Sequence, residues 1–235
     1  MDRKLASSFL ILLTFASGLL LCGFQRGEQA ILTQSGLPAP SFVRGNAASS
    51  GSVYTVTLPS VNAGDTIVIG IECSTIAAFS LSGSVQGAFS VARGPDRDSG
   101  LNFQDFIYYK TGATASAGTE TFTLTGCTGF MRAGVAEYTN MAGASLDGSG
   151  NAGTANSGTS MSSGSYAVTA GDLCIGWGID LTTSVSAGAG WTGRASATID
   201  TNTMFEDQIA SGTSCTATAT GGSGIWVMSG AAFLP

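Results

Sequence analysis

The chain has 235 residues, 34 of them glycine, with 43% apolar and only 10% charged side chains and a formal net charge of −6. It contains no histidine, which excludes a histidine triad, a histidine metal site and a histidine proton shuttle. The length allows one or two domains with a full core, and the acidic balance argues against nucleic acid as a partner, because a phosphate backbone would be repelled.

Residues 1–22 read as an export signal. Arg3 and Lys4 form a short basic head, residues 5–21 carry no charge, and Ala16 and Gly18 place small residues two apart, as signal peptidase prefers. The apolar run is short for a stable membrane span. Cys22 directly after it is the alternative lipidation site, although Leu21 stands where lipidation wants a small residue; an uncleaved anchor is the third fate. Contact with a membrane is expected only through this segment. Loss of residues 1–27 would leave six basic and fourteen acidic residues, a net charge of −8. Residues 23–52, rich in Ser, Ala and Gly around Pro38 and Pro40, read as a tether or a loosely attached first strand.

Strand patterns begin at 53–58, where Tyr54, Val56 and Leu58 alternate with Thr55 and Thr57 until Pro59. After a turn at 62–65, Ile67, Ile69 and Ile71 share one face, which Cys73 joins by parity. A run at 103–109 is followed by a small-residue loop at 112–118. Thr121, Thr123 and Thr125 then alternate with Phe122 and Leu124. Another strand, 130–138, follows the turn at 127–129. The stretch 139–165 is rich in Gly, Ser, Ala and Thr and reads as a linker or a broad connection with a weak edge strand. From Tyr166 strands resume, with Leu173, Ile175, Trp177 and Ile179 on one face and Cys174, Gly176 and Gly178 on the other. No segment beyond the signal shows a helical period.

Residues 53–138 and 166–235 repeat one pattern. Each runs from a Tyr-led strand through Ala-Gly-Asp, at 63–65 and 170–172, into an apolar strand. Phe103-Gln104-Asp105 aligns with Phe205-Glu206-Asp207, and 118–138 aligns with 212–233. The expected fold is all-β: one antiparallel jelly-roll-type β-sandwich of about eight strands, built from two similar halves within a single domain 53–235, in which neither half buries its apolar face alone.

Without Cys22 four cysteines remain, Cys73, Cys127, Cys174 and Cys215, with no CxxC spacing, so disulfides are expected rather than zinc. The preferred arrangement pairs Cys73 with Cys127 and Cys174 with Cys215, one bridge in each half. Pairings that cross between halves stay open.

Candidate chemistry is sparse. Asp65 and Asp172 follow a glycine at the start of a strand, where an Asp caps a turn through its own backbone. Asp96, Asp98 and Asp105 are a weak calcium candidate, because closely spaced carboxylates supply oxygen ligands, but Arg93 and Arg97 interleave with them and favour a solvated charged loop. Asp105, Glu206 and Asp207 are the carboxylates a glycan-acting enzyme would need. Gly148 to Gly150 fits a Gly-x-Ser-x-Gly elbow only in part. Trp177 follows a buried parity, Trp226 suits either face, and Trp191, in the Gly-rich run 190–193, is the candidate for stacking on a sugar.

Thr55-Val56-Thr57-Leu58-Pro59, Ala63-Gly64-Asp65, Ala117-Gly118-Thr119, Ala136-Glu137-Tyr138, Ser145-Leu146-Asp147, Gly171-Asp172-Leu173 and Gly190-Trp191-Thr192 occur in this order over residues 53–235. In this the chain resembles a group of uncharacterised bacterial secreted and phage-associated β-sandwich modules. The resemblance implies an adhesion, wall or tail-fibre role and supplies no catalytic residue. The expected function is therefore a non-catalytic structural or adhesive surface protein, secreted or at the cell surface. Its partner would be a second copy, added strand to strand through 53–58 or the N-terminal tether, or a surface polysaccharide. A carbohydrate-binding module is the first alternative and a glycan-acting enzyme the second.

Overall fold

The computed structural model describes residues 38–98, 102–141, 143–151, 156–194, 201–221 and 224–235. The segment 1–22 read as an export signal, with Cys22, lies outside them, and the following account concerns the unit Ala39–Pro235. Alternating apolar and Thr or Ser residues give strands, and glycines turn the chain between them. Gly64 and Gly171, with φ of +83° and +100°, occupy the same turn of the two repeats, in a region that side-chain-bearing residues avoid.

The first half runs through β1 (Ser41–Ser50), β2 (Thr55–Leu58), β3 (Thr66–Cys73), β4 (Ser80–Gly83), β5 (Gly87–Ala88), β6 (Ser90–Asp98), β7 (Phe103–Lys110), β8 (Glu120–Thr125) and β9 (Met131–Thr139). One sheet has the order β1-β9-β3-β7-β6 and the other β2-β8-β4-β5, all antiparallel. The chain passes back and forth between the sheets and its last strand returns beside its first, a jelly-roll winding. The second half continues with β10 (Leu146–Asn151), β11 (Asn156–Ser157), β12 (Ser160–Ser162), β13 (Tyr166–Ala167), β14 (Leu173–Asp180), β15 (Ser186–Ala187), β16 (Thr192–Gly193), β17 (Thr203–Ile209), β18 (Ser214–Cys215), β19 (Thr218–Thr220) and β20 (Ile225–Phe233). Its large sheet repeats the order as β10-β20-β14-β17-β16, with β11 also on β20. The facing layer is reduced to β12-β19-β15 and β13-β18.

The molecule is thus an all-β antiparallel sandwich built from two similar halves, but the expected eight strands are too few. Each half closes a sandwich of its own. The stretch 139–165 is not a bare linker: it supplies β10, β11 and β12 of the second half. Residues 41–50, in the stretch read as a tether or first strand, are paired along β9.

Among the described residues, apolar layers separate four stacked layers of strands, the last made of the two small sheets. Ile67, Ile69 and Ile71 of β3 meet Val56, Leu58, Phe122 and Leu124 within the first half. Cys174 and Met228 meet Met161, Tyr166, Ala217 and Ala219 within the second. Between the two large sheets, Val68, Ile107, Ala136 and Tyr138 pack on Leu173, Ile175, Trp177, Phe205 and Phe233. Every residue of β3 and of β14 is buried, because both faces of each strand are covered. Each half also has its own bridge: Cys73–Cys127 and Cys174–Cys215, with Cα separations of 6.0 and 6.6 Å.

The strand registers relate the halves. Thr66 after Asp65 pairs with Tyr138, and Leu173 after Asp172 pairs with Phe233. Val68 pairs with Tyr109 and Ile175 with Asp207. Tyr138 therefore corresponds to Phe233, and Tyr109 to Asp207. Tyr138 touches Asp207, and Phe233 touches Tyr109, so one contact is made twice across a pseudo-two-fold axis. Gly70 and Trp177 correspond as well and meet each other: a Cβ on Gly70 would overlap the indole. The same registers correct the alignment of Asp105 with Asp207, since Asp105 pairs with Glu72, four residues further along β3 than Val68.

Candidate functional site

The two corners related by the pseudo-two-fold axis differ in chemistry. At one, the rings of Tyr109 and Phe233 lie 5.2 Å apart and fill the seam between the large sheets. At the other, Asp207 replaces the tyrosine. Its Oδ2 accepts from the Tyr138 hydroxyl at 2.7 Å and from Arg194 Nε at 2.8 Å. The Arg194 guanidinium lies 4.4 Å from the centroid of Phe42, which meets the Tyr138 ring edge-on. Arg194 is held because its backbone N–H donates to the Phe205 carbonyl just beyond β16. Arg93 lies opposite Ile107 as Arg194 lies opposite Phe205, but it forks onto Asp96 instead.

An open cavity of about 260 Å³ results. Pro40, Phe42, Leu173 and Ile209 give it apolar walls; Tyr138, Thr192, Arg194, Asp207 and Gln208 give it polar groups, with Gly190 at the rim. Burial, with the Asp207 carboxylate behind it, pushes the Tyr138 hydroxyl well above its usual range, so it stays a donor. Burial alone would lower the Arg194 pKa, but the hydrogen bond and charge of Asp207 outweigh it and the guanidinium stays charged.

The residues singled out in the sequence go to different places. Trp191 borders this cavity in sequence but is only 9% exposed and packs into the second half's core, which corrects its reading as an open stacking platform. It lies two residues from Gly193, opposite Glu206, and so shares that inward face. Trp177 and Trp226 are also buried.

The solvated charged loop expected around the calcium candidates is corrected too. Asp96 lies opposite Asp105 across β6 and β7, both buried, not in a solvated loop. The Asp96 oxygens accept from Arg93 at 2.7 and 2.9 Å, and Ser229 Oγ donates to Oδ2 at 2.6 Å. The Asp98 side chain lies outside the described residues. Among the described residues no group of three or more Cys, Asp or Glu is placed to hold a metal ion.

Asp105 has no hydrogen-bond partner for either oxygen. Burial foremost, then Glu72 and Asp96, push its pKa well up. Glu206 points into the second half's core, where its oxygens accept from the Gly188 and Thr218 amides at 3.1 and 3.2 Å; burial raises it to about 8. Asp105, Glu206 and Asp207 thus sit in three separate surroundings. Ser149 is mid-strand in β10, opposite Ala231, and makes no elbow.

Asp65 and Asp172 hold their turns, accepting from Asn62 Nδ2 at 3.0 Å and the Thr169 amide at 2.9 Å. Each also lies beside a second acid. Burial and then Asp147 raise Asp172 to about 6, while burial and Asp65 raise Glu137 against the pull of Arg44.

Phe42, Tyr138 and Arg194 were not legible as site residues. Tyr138 lies 69 positions from Asp207, and Arg194 follows a two-residue strand without any pattern around it. No protein-family model, no curated protein and no solved structure matches the chain.

Proposed function

We propose that the chain is an exported, non-catalytic surface protein of structural or adhesive type, working outside the cell. The observation that carries this reading is the separate disulfide in each half, Cys73–Cys127 and Cys174–Cys215. Structural disulfides persist in oxidising compartments and are rare where thiols are kept reduced. The basic head and apolar run of residues 1–21 agree with export. Two large sheets buried on both faces make a stiff body, as a surface subunit needs. Strand addition at 53–58 has a seam to use, since β2 is an edge strand. Its Thr57 carbonyl accepts from Asn46 Nδ2 at 2.9 Å, and an incoming strand must displace that side chain.

The test is thiol titration of denatured, unreduced native protein together with protease shaving of intact cells. No reactive thiol among the four cysteines and removal of the chain by external protease are expected. Four free thiols on a protease-protected chain would reject export.

A second reading, a carbohydrate-binding module, is favoured by the corner cavity at Arg194 and Asp207, whose counterpart across the pseudo-two-fold axis is filled by aromatic rings.

A further inference from the structure

The geometry points to a binding site for one neutral, monosaccharide-sized sugar ring in the corner cavity lined by Phe42, Tyr138, Thr192, Arg194, Asp207 and Gln208. This deepens the carbohydrate-binding reading and rests on it.

Size comes first. At about 260 Å³ the cavity falls below the roughly 300 Å³ at which pockets for drug-sized ligands begin, so a single ring is the natural occupant. Charge comes next. Among the described residues Arg194 and Asp207 are the charged side chains of the lining, and they are paired to each other at 2.8 Å. An anion on the guanidinium N–H groups that Asp207 leaves free would sit against the Asp207 carboxylate, and a cation on Asp207 would sit against the guanidinium. Either sets like charges together in a partly buried site, which is costly. A neutral ligand leaves the pair intact.

The hydrogen-bonding pattern then narrows the class. A carboxylate only accepts and a guanidinium only donates, while a hydroxyl does both. Neighbouring hydroxyls on one ring can donate to Asp207 and accept from Arg194, with the Thr192 hydroxyl available to another. The apolar walls of Pro40, Leu173 and Ile209 suit the C–H faces that such a ring presents between its hydroxyls. Asp207 is 3% exposed and fixed by the buried Tyr138, so little ordering is lost on binding. The cavity is also no unavoidable gap at the seam, because the same seam is closed at the other corner.

The experiment is an NMR titration of the full chain with glucose, galactose, mannose and N-acetylglucosamine, beside glucuronate and glucosamine as charged probes. At least one neutral sugar should saturate shifts confined to the lining, residues 40–42, 138, 173, 190–194 and 207–209, with Kd near the ~1 mM expected of a small site. Glucuronate and glucosamine should bind at least ~10-fold more weakly, as each sets a like charge against one member of the pair. Thr192 is exposed at the rim, and Thr192→Trp should abolish these shifts while leaving the denaturation midpoint unchanged. A second variant, Ile209→Trp, fills the cavity from the opposite wall and should do the same if Thr192→Trp does not fold. The inference is overturned if no neutral sugar moves these residues up to ~50 mM, if a charged probe binds tighter, or if both folded variants still bind. Retention of the chain on a glycan array without these shifts would overturn this site and leave the carbohydrate-binding reading standing, whereas neither retention nor shifts would overturn both.

Discussion

At the scale of single residues, the decisive feature is how this chain treats its buried acids. Asp207 has a hydroxyl and a guanidinium on one oxygen, and Glu206 has two backbone amides. Asp105 has neither and sits in a cross-strand row with Glu72 and Asp96. Burial keeps it protonated at a pH where a free Asp is ionised. Its folded pKa lies above its unfolded one, so its contribution is complete below about pH 4 and is lost as pH rises through the folded value. Glu206 acts in the same sense around its raised value of about 8. The urea midpoint should therefore fall between pH 6 and pH 9. Asp105→Asn, which cannot ionise, should lose less stability than the parent as pH rises above about 4 towards the raised folded value, by on the order of 1 kcal/mol or more. Equal slopes for parent and variant from about pH 4 upward would show that folding does not raise the pKa of Asp105.

At the scale of elements, β3 and β14 are the pair that sets how the halves meet. Trp177 lies where Gly70 has no side chain, so one strand carries the knob and its counterpart the hole. Gly70→Ala should cost about 1–3 kcal/mol through overpacking. Trp177→Phe in the same chain should recover part of this, giving a favourable coupling in a double-mutant cycle read by urea denaturation. Strictly additive costs would mean that the two residues do not share this space.

The alternation in 66–73 and 173–180 gave both faces of these strands in advance, because period two survives burial on both sides. The preferred pairing, one bridge in each half, is the one formed, although the repeat left the crossed pairings open. What alternation could not show is a second covering layer. A strand buried on both faces and one in a simple sandwich differ only in how apolar the second face is, and Gly70, Gly176 and Gly178 leave that face nearly blank. Short strands hid more. Two-residue β16 has no readable period, so Trp191 looked like a loop residue although it shares an inward face, and Arg194 had nothing to mark it.

At the scale of the whole molecule, closing two separate sandwiches does not make two independent domains. Each half covers one face of its large sheet with its own second layer and the other face only with its partner half. Taken alone, residues 39–141 would expose Val68, Ile107, Ala136 and Tyr138, an apolar face larger than a soluble domain leaves uncovered. Pairing of two identical halves is no remedy. Two first halves would set Gly70 against Gly70 with an indole-sized void, and two second halves would set Trp177 against Trp177. The full chain should therefore unfold in one calorimetric transition, with calorimetric and van't Hoff enthalpies agreeing. A fragment of residues 39–141 should aggregate or show the broad, poorly dispersed spectrum of a loosely packed state, even with Cys73–Cys127 formed. Two resolved transitions in the full chain, or a well-dispersed monomeric spectrum for the fragment, would mean that each sandwich is stable alone. The middle layer would then be a docking surface rather than a shared core.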